Sequence, residues 1–252
     1  MTTTVYLCIA LLAIINFPFV LWVDRRAKQP GIKRVYDLDT PPEQLTKEMR
    51  NAWITTPVHA LLLAFFVGSG LMKIGDDNAW SVVGSFIATL VWTEIWHYFS
   101  HRAMHWKSLH FIHREHHKSR ITNAWTSVSF SFLEKFIFSL GILGFMAGLS
   151  HVMKVSVVGI TIYYVLYFFT NTLGHANYEF RKPNYRDSWM GKVFNTPSYH
   201  AMHHARYVKN YGLLTPVLDR LFKTEWPDEA QVQTRAATNR PLRSLNERAE
   251  VP

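Results

Sequence analysis

The chain has 252 residues, 48% of them hydrophobic and 15% aromatic, with a formal net charge of +9. Its single cysteine, Cys8, excludes an intrachain disulfide framework and any cysteine-based zinc motif. The basic residues flank apolar runs, as in DRRAKQPGIKR at 24–34, and no zinc-finger, RNP or helix-turn-helix pattern accompanies them; this suits the anionic face of a bilayer and argues against nucleic acid as a partner.

Residues 4–23, TVYLCIALLAIINFPFVLWV, match the ~20 residues a helix needs to cross the hydrocarbon core. They carry no basic leader and no small-residue cleavage site, which predicts a retained anchor helix, kinked by Pro18. The polar segment 24–50 holds seven Lys and Arg residues and is expected on the cytoplasmic side. A second span is predicted over 52–72, a tight turn over 73–78 and a third span over 79–96, forming a membrane helical hairpin. A second hairpin is predicted from spans at 130–149 and 152–174, joined by the two-residue turn SH. Gly141, Gly144 and Gly148 lie on one side of the fourth span and predict close helix packing there. From Glu225 the sequence turns polar and poor in aromatics, which predicts a flexible tail. The expected organisation is therefore 1–78 for the anchor, basic loop and second span, 79–224 for a catalytic domain, and 225–252 for the tail.

Seven of the thirteen histidines fall within HYFSHRAMHWKSLHFIHREHH at 97–117. His97, His101 and His105 step by four and share a helical face; His113, His116 and His117 form an i, i+3, i+4 triplet. Asn171 and His175 step by four, and His200, His203 and His204 repeat the triplet. Each group abuts the end of an apolar segment, and the topology brings all four ends to one side. A single first-row metal takes roughly four to six ligands, so nine or ten converging donors suit two ions. Imidazole alone leaves iron, zinc and manganese open, and with them a redox enzyme, a zinc-dependent membrane hydrolase or a metal transporter. Glu94, Glu115 and, foremost, Asp219 are placed to accept an imidazole N–H and orient the ring. His97 is a candidate ligand, or otherwise a residue that supports a ligand or faces the substrate. His59 and His151 read as ordinary hydrogen-bonded or interfacial histidines, and His110 as a lining or surface residue.

The strings WHYFSHRAMH, LHFIHREHHKS, NTLGHANYE and TPSYHAMHHARYVKNYGLLTPVLDRLFKT resemble the fatty acid hydroxylase / sterol desaturase superfamily of integral-membrane histidine-motif di-iron enzymes, over about residues 80–224. The resemblance implies an all-α, polytopic membrane protein capped by a cytoplasmic, histidine-rich helical di-metal domain. It implies two non-haem irons, with O2 as co-substrate, held by His101, His105, His113, His116, His117, His175, His200, His203 and His204. Asn171 stands where some relatives have histidine. The implied activity is hydroxylation of an unactivated C–H bond of a fatty acyl, sterol-like or other membrane lipid, with desaturation on the same core as the alternative. Two departures, Leu218 for the usual tryptophan and Lys223 for glycine, lie outside the ligand set and bear on substrate and partner. The chain carries no cytochrome b5 domain, so the expected electron donor is a separate cytochrome b5-, ferredoxin- or reductase-like protein. A bacterial inner membrane is expected in preference to the endoplasmic reticulum.

Overall fold

Five helical stretches in the computed structural model, which describes residues 3–250, are long and apolar enough to cross a membrane. The first comprises α1 (Thr3–Ile14) and α2 (Asn16–Ala27), interrupted at Ile15. Pro18 has no N–H to offer the Ile14 carbonyl four residues back, so the ladder opens there. The kink expected at Pro18 thus falls one turn earlier.

The second stretch, α3 (Pro42–Gly68), starts inside the segment read as a polar loop and stops short of the expected end at 72. Its added first turns are helical because their inner face is fastened. Glu48 is buried and accepts hydrogen bonds from Asn123 Nδ2 (2.6 Å) and Thr126 Oγ1 (2.8 Å) in the loop above the membrane.

The third stretch, α4 (Ala79–Met104), is capped by Asn78, whose side chain accepts from Ser81 N at 3.1 Å. It is an inside-out amphipathic helix. Ser81, Ser85, Thr89 and Thr93, stepping by four, are buried, whereas Trp80, Val83, Ile87 and Val91 face outward. Small polar residues let helices approach closely while the apolar stripe meets lipid. The helix continues past the expected end at 96, carrying His97 and His101. The short α5 (His110–His113) follows, then a 3-10 turn at His116–Lys118.

The last two stretches are α6 (Phe132–Leu149) and α7 (Val157–His175). The expected two-residue turn between them is a longer linker, 150–156, because it is tied to the 72–77 loop. Gly75 N donates to Val155 O (2.8 Å), Ser156 N to Ser85 Oγ (2.8 Å), and Ser156 Oγ caps α7 at Gly159 N (3.1 Å). Of the three expected packing glycines only Gly141 serves: a Cβ there would lie 2.1 Å from the Trp96 ring, while Gly144 and Gly148 have nothing within 4 Å. A second close helix crossing, here against main chain, is at Gly159, where a Cβ would stand 2.3 Å from Val82 O. This brings α4 and α7, and the histidines at their ends, together.

Above the spans lie α8 (Trp189–Val193), α9 (Pro197–Arg206), α10 (Val217–Leu221) and α11 (Glu229–Ala237). The segment after Glu225 is packed rather than flexible, which corrects the expectation from its composition. Val232, Ala236, Leu242 and Ala249 join one core with Val35, Tyr36, Ala201, Met202 and Ala205. Leu242 N donates to Val35 O at 2.9 Å, and Asp37 N to Leu242 O at 2.8 Å. Arg206 makes a two-pronged buried pair with Asp228 at 2.6 and 2.8 Å. Among the polar residues that suggested a free tail, Glu225, Asp228, Glu229, Arg235 and Glu247 are ion-paired. The tail closes over α9. Outside five long helices and the cap, β-structure among the described residues is limited to isolated bridges, so the fold is all-α.

Candidate metal centre

Four segments deliver nine histidines to one place. His101 and His105 sit at the end of α4, His113 closes α5, and His116 and His117 occupy the 3-10 turn. His175 ends α7, and His200, His203 and His204 lie on α9. They form two groups, His101, His105, His113, His117 and His203 in one and His116, His175, His200 and His204 in the other. Within each group the ligating nitrogens lie within 4.8 Å of one another. Helical spacing explains the partition. His113 and His117, four apart, share a face and enter one group while His116 enters the other; His200 and His204 likewise separate from His203. His117 and His204 stack across the divide, ring centres 4.7 Å apart, so both groups can each hold a metal ion side by side.

Ring orientation comes mainly from main-chain oxygens. Nδ1 of His101 meets Tyr211 O (2.8 Å), His116 meets Ser129 O (2.9 Å) and His175 meets Asn171 O (2.7 Å). His203 meets Lys209 O (2.7 Å) and His204 meets Ser119 O (3.0 Å). A carbonyl only accepts, so in each ring Nδ1 carries the proton and a neutral imidazole presents a bare Nε2. Two of these carbonyls come from the loop after α9, where Tyr207, Lys209 and Asn210 all have positive φ (76°, 67° and 53°). That costly backbone is held by Asn210, which donates to Tyr199 O (3.0 Å) and accepts from Trp226 N (2.8 Å).

The consequence is a set of lone pairs without partners. Nε2 of His101, His113 and His204 is buried with no hydrogen bond. The bare Nε2 atoms of His116 and His175 face each other at 3.4 Å. Two acceptors directed at each other in a dry site are unfavourable unless a cation lies between or beside them. The residues present therefore fit a pair of bound metal ions. Burial, and then the neighbouring imidazoles, hold the cap histidines neutral. His105 is pushed down to about 2, and His113, His117, His200 and His203 well below the ordinary histidine value.

The acids expected to orient the rings do not touch them. Asp219 accepts from Tyr211 N (2.9 Å), Gly212 N (2.6 Å) and Thr224 Oγ1 (2.7 Å). It fixes the loop whose Tyr211 carbonyl holds His101, one step further out than expected. Glu94 accepts from Thr215 N and Oγ1, both at 3.1 Å. Glu115 faces away from the triplet to Lys47 (2.5 Å) and Lys118 (2.8 Å). The carboxylate that does reach a ring is Glu134, whose Oε1 accepts from His113 Nδ1 at 2.6 Å, both side chains buried. An acid one turn inside an apolar helix was its signal in the sequence.

His97 belongs to neither group; its ring lies 5.0 Å from that of His101 and lines a cavity. The Asn171 amide donates to Ser127 O (2.8 Å) and is also on that wall. His110 meets the Tyr207 hydroxyl outside both groups. His59 stacks on Tyr164 at 4.0 Å, and His151 is exposed in the 150–156 linker. The cavity is narrow, about 50 Å³, and runs from His101, His116 and His175 between the spans past Phe138, Phe168 and Leu213.

The fatty acid hydroxylase family matches residues 86–224, a region that contains all nine histidines. The chain belongs to the fatty acid hydroxylase family. Among curated relatives, Protein CER1-like 2 of Arabidopsis thaliana is 28% identical over 81% of this chain and 34% of its own length. Very-long-chain aldehyde decarbonylase GL1-4 of Oryza sativa subsp. japonica is 30% identical over 64% of this chain and 27% of its own. Very-long-chain aldehyde decarbonylase CER1 of Arabidopsis thaliana is 27% identical over 82% and 36%. The chain thus spans about a third of these relatives' length. No solved structure gives a significant match.

Proposed function

We propose that this fatty acid hydroxylase family member is a multi-pass membrane di-iron oxidoreductase that uses O2 to hydroxylate an unactivated C–H bond of a long-chain lipid. The observation that carries the reading is the pair of buried groups of five and four neutral imidazoles at the head of an apolar, intramembrane cavity. Two irons held by those nine histidines would supply the activation of O2. The chain's own contribution is positional. Main-chain carbonyls and Glu134 hold the rings, and Phe138, Phe168 and Leu213 exclude water and align an alkyl chain. His97 and Asn171 face the substrate rather than the metals. Electrons come from a separate cytochrome b5-, ferredoxin- or reductase-like protein on the cytoplasmic side, an orientation for the histidines supported by the basic segments that flank the apolar runs, and a bacterial inner membrane suits this arrangement. Desaturation on the same core is the nearest alternative.

The names of the relatives favour a further reading, loss of the carbonyl carbon from a long-chain aldehyde, because the alignment with them covers most of this chain. The test is to purify the protein in lipid nanodiscs, measure its metals, and supply a long-chain acid, alcohol or aldehyde with 18O2 and a reductant. Two irons per chain and 18O in a new C–OH are expected. An unlabelled alkene would favour the desaturase reading, and an alkane shortened by one carbon the decarbonylase reading. Stoichiometric zinc with oxygen-independent turnover would overturn the proposal in favour of a hydrolase or transporter. His116→Ala and His203→Ala should lose iron and activity together, while His151→Ala keeps both.

A further inference from the structure

The cavity has a second polar wall that the histidines do not explain. Lys135 lies one turn into α6, at the histidine end of the bundle, where Glu134 meets His113. A lysine so placed ordinarily extends its ammonium outward to water. Here it turns inward. Nζ donates to Tyr164 Oη at 3.3 Å, and Tyr164 lies about three turns of α7 below His175. Nζ also sits 5.6 Å from the centres of both the Phe130 and Tyr164 rings. Among the described residues no carboxylate is within ion-pair reach of it; the adjacent Glu134 gives Oε1 to His113 and keeps Oε2 without a hydrogen-bond partner, near Lys135 but not paired with it.

Two more polar groups line the same cavity with nothing to bind. Asn16, at the start of α2, is 2% exposed and its Oδ1 has no hydrogen-bond partner. Thr56 of α3 is 2% exposed and its Oγ1 has none either. Uncompensated polar groups inside a membrane bundle are costly, and an intramembrane cation without an anion implies a partner. The ammonium and the threonine hydroxyl are donors, and a neighbouring amide can turn to offer another. Together they suit an acceptor oxygen at the end of a long apolar molecule.

Resting on the lipid-oxidation reading, we propose that Lys135, Thr56 and Asn16 form the subsite for the oxygen-bearing terminus of the substrate, a carboxylate or an aldehyde carbonyl. Phe130 links this subsite to the metals. Its ring stacks on His116 with centres 4.6 Å apart and lies beneath Lys135 Nζ. The His116 ring and the Lys135 ammonium are therefore separated by a single aromatic ring. A substrate anchored at Lys135 presents carbons within a few bonds of its oxygen terminus, not its methyl end.

The test is equilibrium binding to the iron-loaded protein in nanodiscs, with radiolabelled long-chain carboxylate, the matching aldehyde and the matching alkane. Lys135→Met is expected to weaken the carboxylate by about tenfold or more, the scale of one charge-assisted hydrogen bond, with alkane binding and iron content unchanged. Lys135→Arg should restore most of the loss, and Thr56→Val should show a smaller one. A larger loss for the carboxylate than for the aldehyde would identify an acid as the natural ligand, and the reverse an aldehyde; either supports the subsite. Equal carboxylate affinity in wild type and Lys135→Met would overturn it, as would a parallel loss of carboxylate and alkane. Metal analysis separates this from the parent reading. Zinc in place of iron with Lys135-dependent carboxylate binding would sink the oxidation chemistry alone, whereas two irons without Lys135 dependence would sink the subsite alone.

Discussion

Replacing Glu134 with alanine should weaken metal binding at the five-histidine group and spare the four-histidine group. The His113–Glu134 contact is short, 2.6 Å, and both side chains are buried. In Glu134→Ala the His113 Nδ1–H loses its acceptor where water does not reach it. An orphaned buried donor costs ~1–3 kcal/mol. Removing the partner that orients a ligating imidazole lowers metal affinity roughly 10–100-fold, which corresponds to about 1.4–2.8 kcal/mol. His113 belongs only to the five-histidine group, so the loss should be confined there. The assay is competition with a graded chelator, followed by metal content per chain. One ion should leave at roughly 10–100-fold lower chelator strength than in wild type, with the second unmoved. Glu134→Gln keeps a neutral acceptor and should fall between. If both ions weaken equally, or neither weakens, the partition into two groups or the role of Glu134 is wrong.

Gly159→Ala should lower the thermal midpoint in detergent, by the ~1–3 kcal/mol typical of overpacking, because its Cβ would stand 2.3 Å from Val82 O. Gly144→Ala, with open space around it, should leave stability unchanged or slightly raised; equal effects at the two sites would contradict the assigned helix crossing. Asp228→Ala strands the Arg206 charge in a buried site and should cost ~3–5 kcal/mol, read as a lower unfolding midpoint, with an Arg206→Met, Asp228→Leu double variant recovering part of it. The same pair sets an acid limit. Burial alone would raise the Asp228 carboxyl, but the Arg206 hydrogen bonds and charge outweigh it and hold the group below its ordinary value of 3.8. A depressed folded value means the stabilisation is complete above about that pH and is lost as the pH falls through the folded value. Unfolding midpoints of wild type and Asp228→Asn should therefore converge on acidification, and parallel curves down to pH about 2 would refute the assignment.

The nine histidines were legible because helical spacing is local. A residue four positions on shares a face whatever the rest of the chain does. The orienting layer was not legible for the opposite reason. Asp219, Glu94 and Glu115 are near histidines along the chain, yet their partners are Tyr211, Thr215 and Lys47, whereas Glu134 reaches a ring from 21 residues away. Hydropathy placed the five apolar stretches but not the helix ends. Polarity marks the bilayer edge, and α3 and α4 run on through it because Glu48 and the histidines make contacts there. Composition misjudged the tail for a related reason. It records that Arg206, Asp228 and Glu247 are charged, not that they are paired.

The main-chain oxygens that hold His101, His116, His175, His203 and His204 have an evolutionary corollary. Every amino acid supplies the same carbonyl, so what each ring reads at Ser119, Ser129, Lys209 and Tyr211 is the path of the main chain. Inserting or deleting one residue between 207 and 211 would shift two carbonyls at once and disarm His101 and His203 together. The centre is thus intolerant of length, and its outermost supports are recorded in loop register.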